Sequence, residues 1–177
     1  KNKKMKRLLF SLVAMLFCST TVFAQLPQAA QPDGAGTEAS PYLISNASEF
    51  VWIADNNNYD VYFKQDDNII FGDLGTLTEA IIPTFKGIYD GDGYTITYQA
   101  NFNGGTADGK YGLFGSVDGG RTGRYPNHVY DTAVIRNLNV NANVTLVGSA
   151  INMNVALLCG KLGTRGVIEY CNVSGDI

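Results

Sequence analysis

Asp90 and Asp92 alternate with Gly91 and Gly93 in the stretch FKGIYDGDGYTIT, residues 85–97. Paired carboxylates at this spacing suit three kinds of chemistry. A calcium loop of the EF-hand kind needs oxygen ligands at alternate positions and a distant Glu. Asp90 and Asp92 fit the first two positions, but Tyr94 occupies the third and no Glu follows at the required distance. A general acid/base pair needs carboxylates held a few ångströms apart over a substrate, and nothing in this run holds them so. The third reading is a tight corner. Gly91 and Gly93 take positive φ there, and Asp90 accepts hydrogen bonds from nearby backbone N–H groups. The corner is the favoured reading, with a weak Ca²⁺ contact and catalysis as its alternatives.

Other polar clusters are judged the same way. GGTADGKY at 104–111 satisfies G-x-x-x-x-G-K, yet Tyr111 stands where a phosphate-binding loop carries the Mg²⁺-binding Ser or Thr. An exposed turn is expected instead. His128 is the single histidine, so any Ser–His or Cys–His system would have to use it. It lies in RTGRYPNHVYD, where Arg121, Arg124, Tyr125, His128 and Tyr130 combine hydrogen-bond donors with aromatic faces. That combination suits stacking on sugars and bonding their hydroxyls, and these five residues form the candidate binding loop; a plain solvated loop is the alternative. A polysaccharide lyase would need calcium ligands and a proton-abstracting base on one sheet face. Arg136 and Lys161 near Asp118 or Asp131 are the residues available for it.

The elements that position these residues begin after a leader. KNKKMKR is cationic, LLFSLVAMLF is a ten-residue apolar core, and CSTTVFA ends in small residues. This is the pattern of a secretory signal peptide, with cleavage expected between Ala24 and Gln25. The apolar core is too short to span a bilayer. Without residues 1–24 the chain keeps 153 residues with 8 basic and 16 acidic groups, a net charge of −8. Such acidity argues against nucleic acid and anionic lipid as partners. Cys159 and Cys171 remain, each where Val or Ala would fit, so buried thiols are expected ahead of a disulfide. No metal site or cofactor is indicated.

Residues 25–41, rich in Gln, Ala, Pro and Gly, read as a flexible exported strip. A short strand in PYLIS precedes one helix, for which Asn46 and Glu49 form a capping box and Phe50, Ile53 and Ala54 share a face. VYF (61–63) and NIIF (68–71) follow as strands. In YTITYQANF, Tyr94, Ile96, Tyr98, Ala100 and Phe102 alternate with polar residues, the period of a half-buried strand. Beyond this a repeat emerges. YGLFGSV (111–117) aligns with ALLCGKL (156–162) at an offset of 45, and VIRNLNVNANV (134–144) with VIEYCNVSGDI (167–177) at 33. An insertion around 118–133 accounts for the difference. Short strands, glycine corners and self-similarity describe a solenoid whose coils bury their apolar positions by stacking. Asn137, Asn139, Asn141, Asn143 and Asn172 suit its corners and its side-chain ladders. A β-sandwich is the alternative fold.

YGLFG, VIRNLNV and ALLCGKLGTRGVIEYCNVSGDI resemble the GLUG repeat, named for a Gly-Leu-hydrophobic-Gly core and found in bacterial surface proteins, notably those of Bacteroidetes. Leu157, Gly160, Ile168, Cys171, Val173 and Gly175 fill its pattern. GAGTEASPYLISNASEF and FKGIYDGDGYTIT resemble what precedes such repeats. Gln99 departs from it, standing where an apolar residue is usual and predicting an irregular first coil. The resemblance implies a right-handed parallel β-helix displayed on the cell surface of a Gram-negative bacterium, in adhesin-like or modular exported proteins.

The sequence therefore predicts an all-β chain: a signal peptide at 1–24, a flexible segment at 25–41, and at 42–177 a right-handed parallel β-helix capped by one short N-terminal helix and continuing past residue 177. Its expected function is non-catalytic, as a cell-surface or secreted module that binds glycans or host proteins or acts as a stalk. A polysaccharide lyase, or an accessory module of such an enzyme, is the alternative.

Overall fold

Alternation of apolar and polar residues dictates short half-buried strands, and the glycine- and asparagine-rich joints turn the chain between them. The computed structural model describes residues 25–104, 108–122, 126–127, 129–148 and 153–177. The leader at 1–24 lies outside these residues. In chain order the elements are β1 (Tyr42–Ile44), α1 (Ala47–Asn56), β2 (Tyr62–Gln65), β3 (Ile69–Leu77), β4 (Ile82–Phe85), β5 (Ile88–Asp90), β6 (Thr95–Asn103), β7 (Lys110–Tyr111) and β8 (Phe114–Val117). A hairpin of β9 (Gly120–Thr122) and β10 (Val129–Asp131) comes next. The chain ends with β11 (Ala133–Arg136), β12 (Asn139–Val147), β13 (Asn154–Val155), β14 (Cys159–Leu162), β15 (Gly166–Glu169) and β16 (Asn172–Asp176).

The fold is all-β apart from α1. Its strands visit three sheets in rotation: β1, β2, β5, β11 and β15 form the first, β3, β6, β12 and β16 the second, and β4, β8 and β14 the third. Every ladder in these three sheets is parallel. The repeat read from the sequence is the register of these ladders. Phe114 stands opposite Cys159, and Val134 and Asn139 stand opposite Val167 and Asn172.

Inward side chains from the three sheets share one core. Phe50, Phe63, Phe85, Tyr89 and Phe114 are fully or almost fully buried within it. The Phe50 ring lies 5.7 Å from each of Phe71, Tyr89 and Phe114, edge to face, the geometry aromatic pairs prefer. Gln65 is also fully buried. It accepts a 2.9 Å bond from the Tyr89 hydroxyl and donates at 2.8 Å to the Asp67 carbonyl, so its burial leaves neither amide atom unpaired.

Asn46 caps α1 as its sequence predicts. Its side chain accepts from Glu49 N at 3.1 Å, and Glu49 Oε2 accepts from Ser45 N at 2.7 Å. Phe50 and Ile53 are buried and Ala54 packs against the core. The helix packs on β4 and β3, the last strands of the third and second sheets at this end. Composition predicts a flexible strip at 25–41, yet backbone bonds tie it to the body. Ala30 N donates to Ser48 O, Leu43 N to Asp33 O, and Tyr62 N to Gly36 O.

Gln99 points out of the sheet, so it leaves the buried face of β6 intact. The irregularity lies in the neighbouring strand instead. β3 shifts register between Ile70 and Gly72 and again between Asp73 and Thr76.

Candidate functional site

The DGDG segment joins β5 of the first sheet to β6 of the second. Asp90 Oδ1 accepts from Asp92 N and from Asn137 Nδ2, both at 3.0 Å, and Oδ2 accepts from Arg136 Nε at 2.9 Å. Partial burial opposes the charge of Asp90. The bonds from Asn137, Asp92 N and Arg136 outweigh it and hold the carboxyl below its ordinary pKa. Asp92 is committed elsewhere, to an exposed 3.0 Å ion pair with Lys64 that raises the lysine pKa. The two carboxylates thus serve different partners. The corner reading needs one correction: positive φ falls on Asp92 (49°) and Gly93 (83°), not on Gly91. Gly91 is required for a different reason, because a Cβ there would meet Asn137 O and Leu138 Cα at 2.7 Å.

The insertion forms the β9–β10 hairpin, with Arg121 opposite Tyr130 and Gly120 opposite Asp131. Arg124, Tyr125 and His128 of the candidate loop lie outside the described residues. Tyr130 is 58% exposed, and the Arg165 guanidinium sits 4.4 Å from its ring centre. Arg165 N also donates to Asp118 Oδ1 at 3.2 Å, at the base of the insertion. The sequence reading missed Arg165. It occupies KLGTRG (161–166), the turn after β14, and the register of β14 with β8 matches that turn to the one after β8 that carries the insertion.

The residues available for a lyase are not gathered on one face. Arg136 lies on β11 of the first sheet and pairs with Asp90, whereas Lys161 lies on β14 of the third. Lys110 of the phosphate-loop look-alike begins β7, not a helix. Cys159 and Cys171 are free thiols, half-buried, and burial raises the pKa of each. Among the described residues no group of three or more His, Cys, Asp or Glu is placed to hold a metal ion.

A second surface escaped the sequence reading. The outer face of the second sheet carries Thr97, Asn141 and Ser174 side by side, then Gln99, Asn143 and Asp176, then Asn101 and Thr145. Asn139 and Asn172, one step earlier, form a ladder at 2.9 Å, and Asn139 also donates to Gly93 O. Thr97, Gln99, Asn101, Asn141, Asn143 and Thr145 are different. Their side chains make no hydrogen bond or ion pair to any described residue. The signal was present as outward positions of two nine-residue strands, but only the ladder register assembles them into one face.

No protein-family model matches this chain, and no curated protein or solved structure is similar enough to count as a match. No helix among the described residues is long and apolar enough to cross a membrane.

Proposed function

We propose that the chain is an exported, surface-displayed right-handed parallel β-helix that acts without catalysis, binding extracellular glycans or host proteins or presenting such a site as a stalk. The observation that carries the reading is the rotation of the strands through three parallel sheets, with the β9–β10 hairpin between β8 of the third and β11 of the first. Parallel strands joined by a crossover within one sheet are right-handed in nearly all proteins, which supports the handedness. Rigid sheets with an insertion at one corner are a common way to hold a recognition surface. The leader at 1–24, the acidity of the rest of the chain and the Gly-Leu-hydrophobic-Gly resemblance support export and surface display.

The test is an affinity screen of the secreted protein against extracellular glycans and matrix proteins. Saturable binding that leaves the ligand intact supports recognition, and uniform silence favours the stalk. Calcium-dependent release of unsaturated products from acidic polysaccharides would replace this reading with the lyase.

A further inference from the structure

The outer face of the second sheet is a plane of unspent hydrogen-bonding groups. Parallel strands lie about 4.8 Å apart, and alternate residues along each are about 6.6 Å apart. Those spacings place Thr97, Gln99 and Asn101 of β6 directly beside Asn141, Asn143 and Thr145 of β12. Gln99, Asn141, Asn143 and Thr145 are exposed, and none of the six side chains has a partner among the described residues. Solvating an amide is easy, so exposure alone says little. The contrast with Asn139 and Asn172 says more, since those two close a ladder while their neighbours on the same strands do not.

The bulge in β3 gives this plane relief. Gly72, at φ 71°, has no atom within 4 Å of the position a Cβ would take. Beside it lies a shallow depression of about 240 Å³ lined by Asp73, Gln99, Asn141 and Asn143. Pockets that enclose a small ligand run to about 300–1,000 Å³. This one is smaller and open, so it suits one residue of a chain that continues along the face. The formal charges at the described outward positions of the face are carboxylates, with Asp73 and Asp176 flanking Gln99 and Asn143 in one row. A polyanion would meet repulsion there, whereas hydroxyls would meet amide donors and acceptors.

We infer that this face, centred on Gln99, Asn141 and Asn143, is the binding site for a neutral polysaccharide chain. The inference rests on the recognition reading above and names the surface and the ligand class within it.

Affinity electrophoresis of the secreted full chain in gels containing amylopectin, galactomannan or xyloglucan, with polygalacturonate as the acidic comparison, tests it. The triple variant Q99A/N141A/N143A changes exposed positions, which rarely disturbs stability, and its melting temperature checks that it folds. Thr84→Ala, exposed on β4 of the third sheet, serves as the control. The expected result is retardation by at least one neutral polysaccharide, no retardation by polygalacturonate, a loss of tenfold or more in affinity in the triple variant, and unchanged affinity in Thr84→Ala. Retardation that survives in the folded triple variant, or falls as far in Thr84→Ala, overturns the face while leaving recognition standing. Silence toward all four polysaccharides overturns the inference, and binding to a protein in the wider screen would then still preserve the recognition reading. Binding to polygalacturonate alone overturns the assignment to neutral chains.

Discussion

Arg136 Nε lies 2.9 Å from Asp90 Oδ2 across neighbouring parallel strands, while Asn137, the next residue, donates to the other oxygen of the same carboxylate at 3.0 Å. One side chain of β5 therefore fixes both the end of β11 and the corner that follows it. Asn137 holds φ 54°, a left-handed conformation that asparagine tolerates better than most residues. The carboxylate whose type and spacing suit chemistry instead pins β5 to β11 and to the corner after it.

Asp90→Asn should lower stability by about 1–3 kcal/mol, the range for disturbing a charged, part-buried hydrogen-bond centre. The pH dependence has a definite sign. Because the folded-state pKa of Asp90 is lowered, its contribution is fully present above the ordinary carboxyl value of 3.8 and fades as pH falls from there through the lowered one. Denaturant melts of both proteins across acid pH should show a difference that is constant near neutrality and shrinks at the acid end. A difference that grows on acidification would contradict the assignment.

Gly91→Ala and Gly93→Ala separate two reasons for glycine. At Gly91 the new methyl meets backbone atoms at 2.7 Å, so the corner must move away from Asn137 and Leu138. At Gly93 there is open space and only the positive φ costs, by about 1–2 kcal/mol. Thermal melts should therefore rank Gly91→Ala as the more damaging, and the reverse order would show that the close approach is absent in solution.

Phe50→Ala should cost about 3–5 kcal/mol, as for other buried aromatic truncations. Phe50 fastens α1 to Phe71, Tyr89 and Phe114. Its loss should also free the helix from the edges of β3 and β4 and increase aggregation on mild heating, measured by light scattering. A variant that melts and scatters like the parent would mean that the helix is not a structural cap.

Arg165→Ala should barely change the melting temperature, because a cation over an exposed ring is worth about 0.5–1 kcal/mol. It should speed limited proteolysis within 118–131, since Tyr130 loses the guanidinium that covers it. Unchanged cleavage would show that the hairpin is held by other contacts.

Much of the fold was legible in the chain. Ile96, Tyr98, Ala100 and Phe102 announced a buried face by alternation, and the two repeat offsets are those of the β8–β14 and β12–β16 ladders, though Tyr111 pairs with Val155, one residue short of the alignment. The capping box at Asn46 and Glu49 was equally local. What escaped depends on neighbours distant in sequence. Gly91 needed a small side chain because of Leu138, 47 positions on from Gly91, and Asp90 was claimed by Arg136 and Asn137 at the end of the neighbouring strand β11. Composition made residues 25–41 look unattached, because backbone bonds such as Leu43 N to Asp33 O leave no trace in side-chain chemistry. The amide face is invisible in any single strand for the same reason.

The most direct test of the proposed binding role is to bind the protein to an array of extracellular glycans and matrix proteins and then recover the bound ligand. Saturable binding is expected, with the ligand returned unaltered. Ligand recovered shortened, with unsaturated ends formed in the presence of calcium, would contradict it and make the protein an enzyme.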